Sequence, residues 1–316
     1  MEHADLVTPG WADYELIDSG DNRKLERYGK FILIRPETQA LWRPAKPDAW
    51  KRADAEFKFG GEGSVKSGAK SEKGGSWRKR NTAMPDSWEM SWNSLTFIAR
   101  LTSFKHTGIF PEQAANWEWI EERVSALRGQ MKGSPRVLNL FGYTGIASLV
   151  AARHGAEVTH CDASKQSNTW AHENARLSGM DHDRIRDDDH LGSIRWITDD
   201  ALAFALREIR RGAIYDGIIL DPPAFGRGAK GEVFRIEEHL PKLLDVCAKL
   251  LAGKRPGAFF LLNGYAAGYA PQSFFQVLKD SFRDMKKPEG GYGELQIEEQ
   301  GTKRIIPSGI YARFVV

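Results

Sequence analysis

The sequence predicts an α/β protein: a doubly wound, mostly parallel, seven-stranded sheet preceded by a small β-rich domain. Two observations predict it. From about Glu112 onward, short apolar runs alternate with segments of helical period, the pattern of β-α units that feed a parallel sheet. Before that point the apolar stretches are short, rich in Trp and Phe, broken by Gly and Pro, and without helical spacing.

The elements follow in order. YELIDSG, KFILIRP, ALWRP, WEMSW and LTFIARLTSF read as strands of a first domain, residues 1–104. A second domain spans residues 105–316. AANWEWIEERVSAL carries apolar residues at helical spacing. VLNLF is then a strand and GIASLVAARHG a helix, EVTHC a strand and SKQSNTWAHENARLSG a helix, IRWIT a strand and DALAFALREIRRG a helix. YDGIIL, with RIEEHLPKLLDVCAKLLAG, and GAFFLLN, with PQSFFQVLKDSF, repeat the unit. ELQIEEQ and GIYARFVV close the chain without an intervening helix and are expected as an antiparallel hairpin at one sheet edge.

Bulk composition excludes several classes. The chain has 316 residues, 41% hydrophobic and 28% charged, as in soluble globular proteins. No apolar run approaches a membrane span, and MEHADLVTPGW lacks the charged-then-apolar start of a signal peptide. A cytoplasmic protein without membrane partners is expected. The only cysteines, Cys161 and Cys247, leave no disulfide framework and no Cys-based zinc site.

Net charge is +3 but uneven: Lys58 to Arg80 holds seven Lys or Arg, two Glu and six Gly. This basic loop (58–80) ends in Trp-Arg-Lys-Arg, which can contact phosphates and stack on a base, or serve as a solvated insertion. Trp77, Trp88 and Trp92 are open to RNA, a partner subunit or the core, and the core is the ordinary place for a Trp. The acidic insert GMDHDRIRDDDHLGS brings His182, Asp187, Asp188, Asp189 and His190 together; a solvated loop is expected there, and no metal.

In a doubly wound sheet, ligands sit beyond the carboxyl ends of the strands, so the residues after each strand matter most. After the first comes Asn139-Leu140-Phe141-Gly142-Tyr143-Thr144-Gly145, a glycine-bearing turn that opens a helix. It lacks the G-x-G-x-x-G spacing of dinucleotide sites and has no Lys for a triphosphate. After the second comes Asp162, twenty residues beyond Gly142, placed either to accept both ribose hydroxyls of a nucleoside or to cap a helix, with Ser164 as the competing cap. After the third comes Asp199-Asp200-Ala201; one carboxylate suits an adenine amino group and the other an N-cap, in either assignment. After the fourth comes Asp221-Pro222-Pro223-Ala224-Phe225. Its prolines remove two amide donors, leaving carbonyls and a carboxylate for an amino group, and Phe225 for stacking on a planar substrate. Nothing in this set holds phosphate. A nucleoside with no phosphate but an amino-acid tail is S-adenosylmethionine.

VLNLFGYTG, CDAS, DDAL and DPPAFG are similar to the motifs of class I S-adenosylmethionine-dependent methyltransferases. More narrowly, the chain resembles the bacterial 23S rRNA methyltransferases that modify cytosine C5 or guanine N7. That branch has an upstream motif of the form His-x-Thr-Gly-x-Phe/Tyr-x-Asp-Gln-Arg, and Phe104 to Gln113 (FKHTGIFPEQ) matches it. The resemblance implies a Rossmann-like methyltransferase fold and S-adenosylmethionine as cofactor. The implied cofactor residues are His106, Thr107, Phe110, Gln113, Asn139, Phe141, Gly142, Thr144, Gly145, Asp162, Ala163, Ser164, Asp199, Asp200, Ala201 and Asp221. The implied catalytic residues are Asp221, Pro222 and Phe225.

The chain departs from the family in two places that bear on chemistry. Ala114 stands where the upstream motif has Arg, and Leu262-Asn263-Gly264-Tyr265 stands where C5 methyltransferases carry a catalytic Cys. Cytosine C5 needs a thiolate adding at C6. Cys161 follows the second strand and Cys247 lies on an apolar helix, so neither is placed for it and 5-methylcytosine is not expected. The expected reaction is methylation of an RNA base, in rRNA, without a Cys nucleophile. A methyltransferase for a protein side chain or small molecule, and a catalytically silent RNA-binding protein, are the alternatives; a homo-oligomer is left open.

Overall fold

The computed structural model describes residues 1–60, 74–180, 191–227, 233–252, 255–265, 268–285 and 288–316. Most of the basic loop and the acidic, His-bearing insert with His182, Asp187, Asp188, Asp189 and His190 lie outside the described residues. The chain forms two compact units. One comprises Val7–Glu112 and Gln296–Pro307; the other comprises Met1–Leu6, Gln113–Leu295 and Ser308–Val316. The division differs from a single cut at residue 104, because the first six residues and a late segment each join the unit that is not their sequence neighbour.

The smaller unit is built on one sheet of five strands: Tyr14–Gly20, Arg23–Tyr28, Phe31–Pro36, Ala55–Phe59 and Gly75–Lys79, in that order. The first two join through Asp21-Asn22, both at positive φ (49° and 58°), as a two-residue hairpin turn with right-handed strand twist requires. A separate hairpin pairs Ser87–Trp92 with Leu95–Arg100. Its alternation is strict: Trp88, Met90, Trp92, Leu95, Phe97 and Ala99 are all buried. Trp88 and Trp92 are therefore core residues, while Trp77 is half-buried.

A buried ionic cluster lies within this unit. Arg35 grips Glu26 through two bonds, 2.7 Å from Nε and 2.8 Å from Nη2, and Tyr14 donates its hydroxyl to the same carboxylate at 2.8 Å. Burial alone would raise the Glu26 pKa, but Arg35 and then Lys24 outweigh it and hold the carboxyl at about 2. Bidentate, charge-assisted geometry is what makes a buried pair tolerable against its desolvation cost.

The larger unit is doubly wound. Its strands are β1 (Arg136–Leu140), β2 (Glu157–Asp162), β3 (Ser193–Thr198), β4 (Gly217–Leu220), β5 (Phe259–Gly264), β6 (Glu289–Glu298) and β7 (Ile305–Val315). Its helices are α1 (Ala114–Gln130), α2 (Ile146–Arg153), α3 (Lys165–Leu177), α4 (Ala201–Arg210), α5 (Ile236–Leu250) and α6 (Pro271–Ser281). The sheet order is β3-β2-β1-β4-β5-β7-β6. The first five strands are mutually parallel and β7 runs antiparallel to β5. Strand β6 is not left as an edge: Glu2 and His3 pair with Gly291 and Tyr292, and Leu6–Val7 pairs with the same strand, giving nine strands in all. Covering an exposed edge removes a template for unwanted pairing.

The central strands are apolar on both faces because helices cover both. Leu138, Leu140, Ile218, Leu220, Phe260 and Leu262 meet residues of α4, α5 and α6 in one continuous core. On the other face α2 neighbours both α1 and α3, and Trp119 of α1 meets Phe259 edge-on at 5.4 Å.

Candidate active site

The parallel register brings the strand ends to one level. Leu140 pairs with Cys161 and with Leu220, Asp162 with Thr198, and Leu220 with Leu262. The next residue of each strand or turn therefore forms one row across five strands: Thr198, Asp162, Phe141, Asp221 and Asn263. Backbone bonds stitch the row, including Asp221 N–H to the Leu140 carbonyl at 3.4 Å and Asp199 N–H to the Asp162 carbonyl at 3.2 Å.

The turn after β1 is strained. Phe141 and Tyr143 hold positive φ (58° and 48°), and Gly145, at φ 84°, begins α2. Non-glycine residues in this region cost free energy and persist only where the surroundings enforce them. Gly142 has no room for a side chain: an added Cβ would stand 2.3 Å from the His160 ring. His160 forms the floor of the turn, fully buried on β2. Its Nδ1 is 3.0 Å from Ser148 Oγ, which accepts from Asn139 Nδ2 at 2.9 Å. Burial drives the His160 pKa down to about 3, so the imidazole is neutral. Asn139 thus points into the support beneath the turn, and Thr144 is buried, its carbonyl accepting from Asn174 Nδ2 at 2.9 Å.

Asp162 joins two turns. Its Oδ2 accepts the Tyr143 N–H at 2.9 Å and its Oδ1 the Ser164 N–H at 2.8 Å. Burial raises its pKa, and these two N–H donors pull the other way. The cap of α3 is Ser164, which accepts from Ser167 N–H at 3.1 Å, so Asp162 is released from capping; Ala163 lies between them. At the next strand end the cap falls to Asp200, whose Oδ1 accepts from Ala203 N–H at 2.8 Å ahead of buried Ala201. Asp199 is ion-paired with Arg207 and receives the Asp200 N–H at 2.9 Å.

On the far side of the row, Asp221 is half-buried and Pro222 buried. Phe225 does not sit in an open loop: Phe225–Arg227 pairs with Val233–Arg235 as a short antiparallel hairpin, and Phe225 is 46% exposed. Tyr265, just past β5, is 43% exposed. Asn263 is buried and accepts from Asn116 Nδ2 at 2.8 Å; Asn116 Nδ2 also donates to Gln113 Oε1 at 3.1 Å. The site residues upstream of Gln113 lie in the smaller unit, where Thr107 is buried and the His106 and Phe110 rings are 5.0 Å apart.

The family described as S-adenosylmethionine-dependent methyltransferase matches residues 70–286. A solved S-adenosylmethionine-dependent methyltransferase from Agrobacterium tumefaciens is 39% identical, with TM-score 0.86, covering 99% of this chain and 93% of that one. This chain belongs to the S-adenosylmethionine-dependent methyltransferases. It is also similar to ribosomal RNA large subunit methyltransferase K/L of Shewanella sp. strain MR-4, 35% identical over 162 residues, which are 49% of this chain and 20% of that protein. Ribosomal RNA large subunit methyltransferase K of Neisseria meningitidis is 26% identical over 235 residues, 74% of this chain and 61% of that one. The chain thus spans about a fifth of the length of the K/L relative.

The donor set of this methyltransferase fits its family's cofactor. Residues 141–145 carry no cation, and Asp162 and Asp221 stand at the strand ends on either side of that turn, a field that disfavours phosphate. Each Asp162 oxygen has one backbone donor and a lone-pair direction remaining, the requirement for taking hydroxyl protons. Both cysteines are free and buried, and burial pushes each thiol up to about 12, so neither is a thiolate near neutral pH. Among the described residues no group of three or more His, Cys, Asp or Glu side chains could hold a metal ion.

Sequence reasoning missed His160, Ser148, Asn116 and Arg313. Ser148 and His160 act through a neighbouring strand and turn, and Asn116 and Arg313 through partners more than a hundred positions away. The continuous burial of β2 leaves position 160 inside, but nothing local says that an imidazole there supports a glycine in the turn after β1.

Proposed function

We propose that this methyltransferase methylates a base in RNA, an rRNA of the cytoplasm, at an amino or ring nitrogen and without a covalent enzyme intermediate. The observation that carries this reading is the row itself. A ribose-accepting carboxylate, Asp162, and a second carboxylate followed by two prolines, Asp221-Pro222-Pro223, flank one strained turn, with no thiolate within the unit. The names of the ribosomal RNA relatives support an RNA acceptor.

When bound, S-adenosylmethionine supplies an activated methyl group. In this reading Asp162 holds the ribose, the turn Phe141 to Gly145 lies against the cofactor, and Asp199 takes the adenine amino group while Asp200 caps. Ala163, Ser164 and Ala201 line the same ends, and His106, Thr107, Phe110 and Gln113 act from the upstream motif. Asp221 and the Pro222 carbonyl accept N–H bonds from the acceptor, aiming its lone pair. Phe225 and Tyr265, both large and exposed, provide faces on which a planar base can stack. Alignment of two bound groups supplies most of the acceleration for such a transfer.

The test is methyl transfer from labelled S-adenosylmethionine to total RNA, in parallel with total protein, from cells lacking the enzyme. Label in one RNA species, and an N-methylated nucleoside on digestion, is the expected result. A 5-methylcytosine product would overturn the non-covalent route. Label in protein alone would move the assignment to a side-chain methyltransferase.

A further inference from the structure

Four side chains of the larger unit, Gln113 among them, form a hydrogen-bonded chain. Arg313 Nη1 donates to Asn116 Oδ1 at 3.0 Å and to the Ala115 carbonyl at 3.3 Å. Asn116 Nδ2 donates to Asn263 Oδ1 at 2.8 Å and to Gln113 Oε1 at 3.1 Å. Asn116 and Asn263 are buried, and Arg313 is fixed over the Trp119 and Tyr311 rings at 4.9 and 5.1 Å. The pairing of β5 with β7 places it there: Asn263 lies opposite Tyr311, and Arg313 opposite Leu261.

The chemistry of these groups sets a direction. A carboxamide can present either end to a neighbour, but a guanidinium only donates. Arg313 therefore forces Asn116 to present its oxygen to β7 and its NH2 to the other two amides. That NH2 has two protons and meets two acceptors, so it is saturated. Gln113 and Asn263 must both turn their oxygens to Asn116, which leaves both of their NH2 groups pointing away from it. Gln113 begins α1, and Asn263 belongs to the row at the strand ends beside Asp221.

We propose that Asn116, oriented by Arg313, is a positioning residue that sets the hydrogen-bond polarity of Gln113 on the cofactor side and of Asn263 on the acceptor side. The inference rests on the proposed cofactor role of Gln113 and on the place of Asn263 in the row beside Asp221. It also narrows the acceptor. Asp221 and the Pro222 carbonyl take an N–H, and Asn263 gives one. Two acceptors together call for the two N–H protons of one amino group, with an acceptor nitrogen or oxygen beside it, a pattern that adenine, cytosine and guanine offer and that uracil, with a single proton on N3, does not.

The experiment measures S-adenosylhomocysteine affinity by calorimetry and single-turnover transfer to total RNA for Asn116→Asp, Arg313→Met, Arg313→Lys and Gln113→Ala, each first shown to melt cooperatively. Asn116→Asp keeps the shape but has no proton to give, so both partner amides must reverse. We expect it to lose about tenfold in affinity, the size of one hydrogen bond, and roughly 10²-fold in transfer rate, the cost of a misplaced reactant. Arg313→Met should move both readouts the same way, and Arg313→Lys, which still only donates, should recover them to within about threefold. Native affinity and rate in both Asn116→Asp and Arg313→Met would overturn the inference, as would Arg313→Lys failing as badly as Arg313→Met, which would mean packing rather than polarity. If Gln113→Ala also binds with native affinity, the cofactor role of Gln113 has failed with it; if Gln113→Ala weakens binding while Asn116→Asp does not, the polarity argument alone has failed. Should Asn116→Asp not fold, the Arg313 pair carries the same comparison with Asn116 intact.

Discussion

Asp162 accepts the backbone N–H of Tyr143 at 2.9 Å and so clamps, from β2, the strained turn that follows β1. The clamp is what lets Phe141 and Tyr143 keep positive φ on either side of Gly142. The same carboxylate is the proposed ribose ligand. Asp162→Ala should therefore lower S-adenosylhomocysteine affinity by roughly 10²-fold and stability by about 1 kcal/mol, because the half-buried Tyr143 N–H loses its acceptor. Calorimetry and urea unfolding measure the two effects; a loss of stability with native affinity would confine Asp162 to the clamp.

Asp221 stands on the acceptor side of the row, one strand from Phe141. Asp221→Ala should abolish detectable transfer, about 10²–10³-fold or more for loss of a preorganised polar contact, while S-adenosylhomocysteine affinity changes little. Binding lost altogether in this variant would make Asp221 a cofactor ligand instead.

His160 predicts a pH dependence. Burial is the main cause of its depressed pKa of about 3, with neighbouring His172 adding to it and Asn168 opposing it. The unfolded chain binds the proton near the ordinary pKa of about 6.5. Between those values the unfolded state holds more protons, so stability is complete above about pH 6.5 and falls as pH drops, by about 1.4 kcal/mol per unit. His160→Asn keeps an acceptor for Ser148 and cannot titrate. Urea unfolding at pH 5 and 7 should show a pH loss about 2 kcal/mol smaller in the variant than in the parent, from that slope over the titrating window. Equal losses in the two proteins would refute a neutral, buried His160.

Lys58, Arg78 and Arg80 are exposed at the described ends of the basic segment, although Arg80 is bonded to Glu56 at 2.8 Å. If the segment meets RNA, replacing Lys58, Lys66, Lys70, Lys73 and Arg78 by Gln should bring elution from heparin to lower salt. It should also flatten the log-affinity against log-salt slope for RNA by up to about 4. An unchanged slope would make the segment a solvated insertion.

The doubly wound sheet was legible because its signal is local. Runs such as GIIL and FFLL are without polar side chains, as strands covered on both faces must be, and the helices between them repeat at helical period. The acids at the strand ends were legible for the same reason, since each ends its strand or directly follows it. Whether Asp199 or Asp200 caps α4 was not, because both spacings suit a cap and the geometry of Arg207 decides between them. The fate of β6 was also hidden: its edge is covered by Glu2–His3 and Leu6–Val7, and two-residue strands carry no periodicity to read.

The sequence by itself determined the fold class, the parallel strands and the order of turn and acids at the strand ends. All of these depend on which residues follow which along the chain. Only the tertiary structure decided that Gly142 must be glycine because His160 lies beneath it, that Asp162 clamps Tyr143, and that Arg313 and Asn116 orient Asn263. These are contacts between residues up to about two hundred positions apart. They arise from the register of strands and the packing of a helix on a sheet, and a hydrogen bond's direction is set by its partner, which no local pattern names.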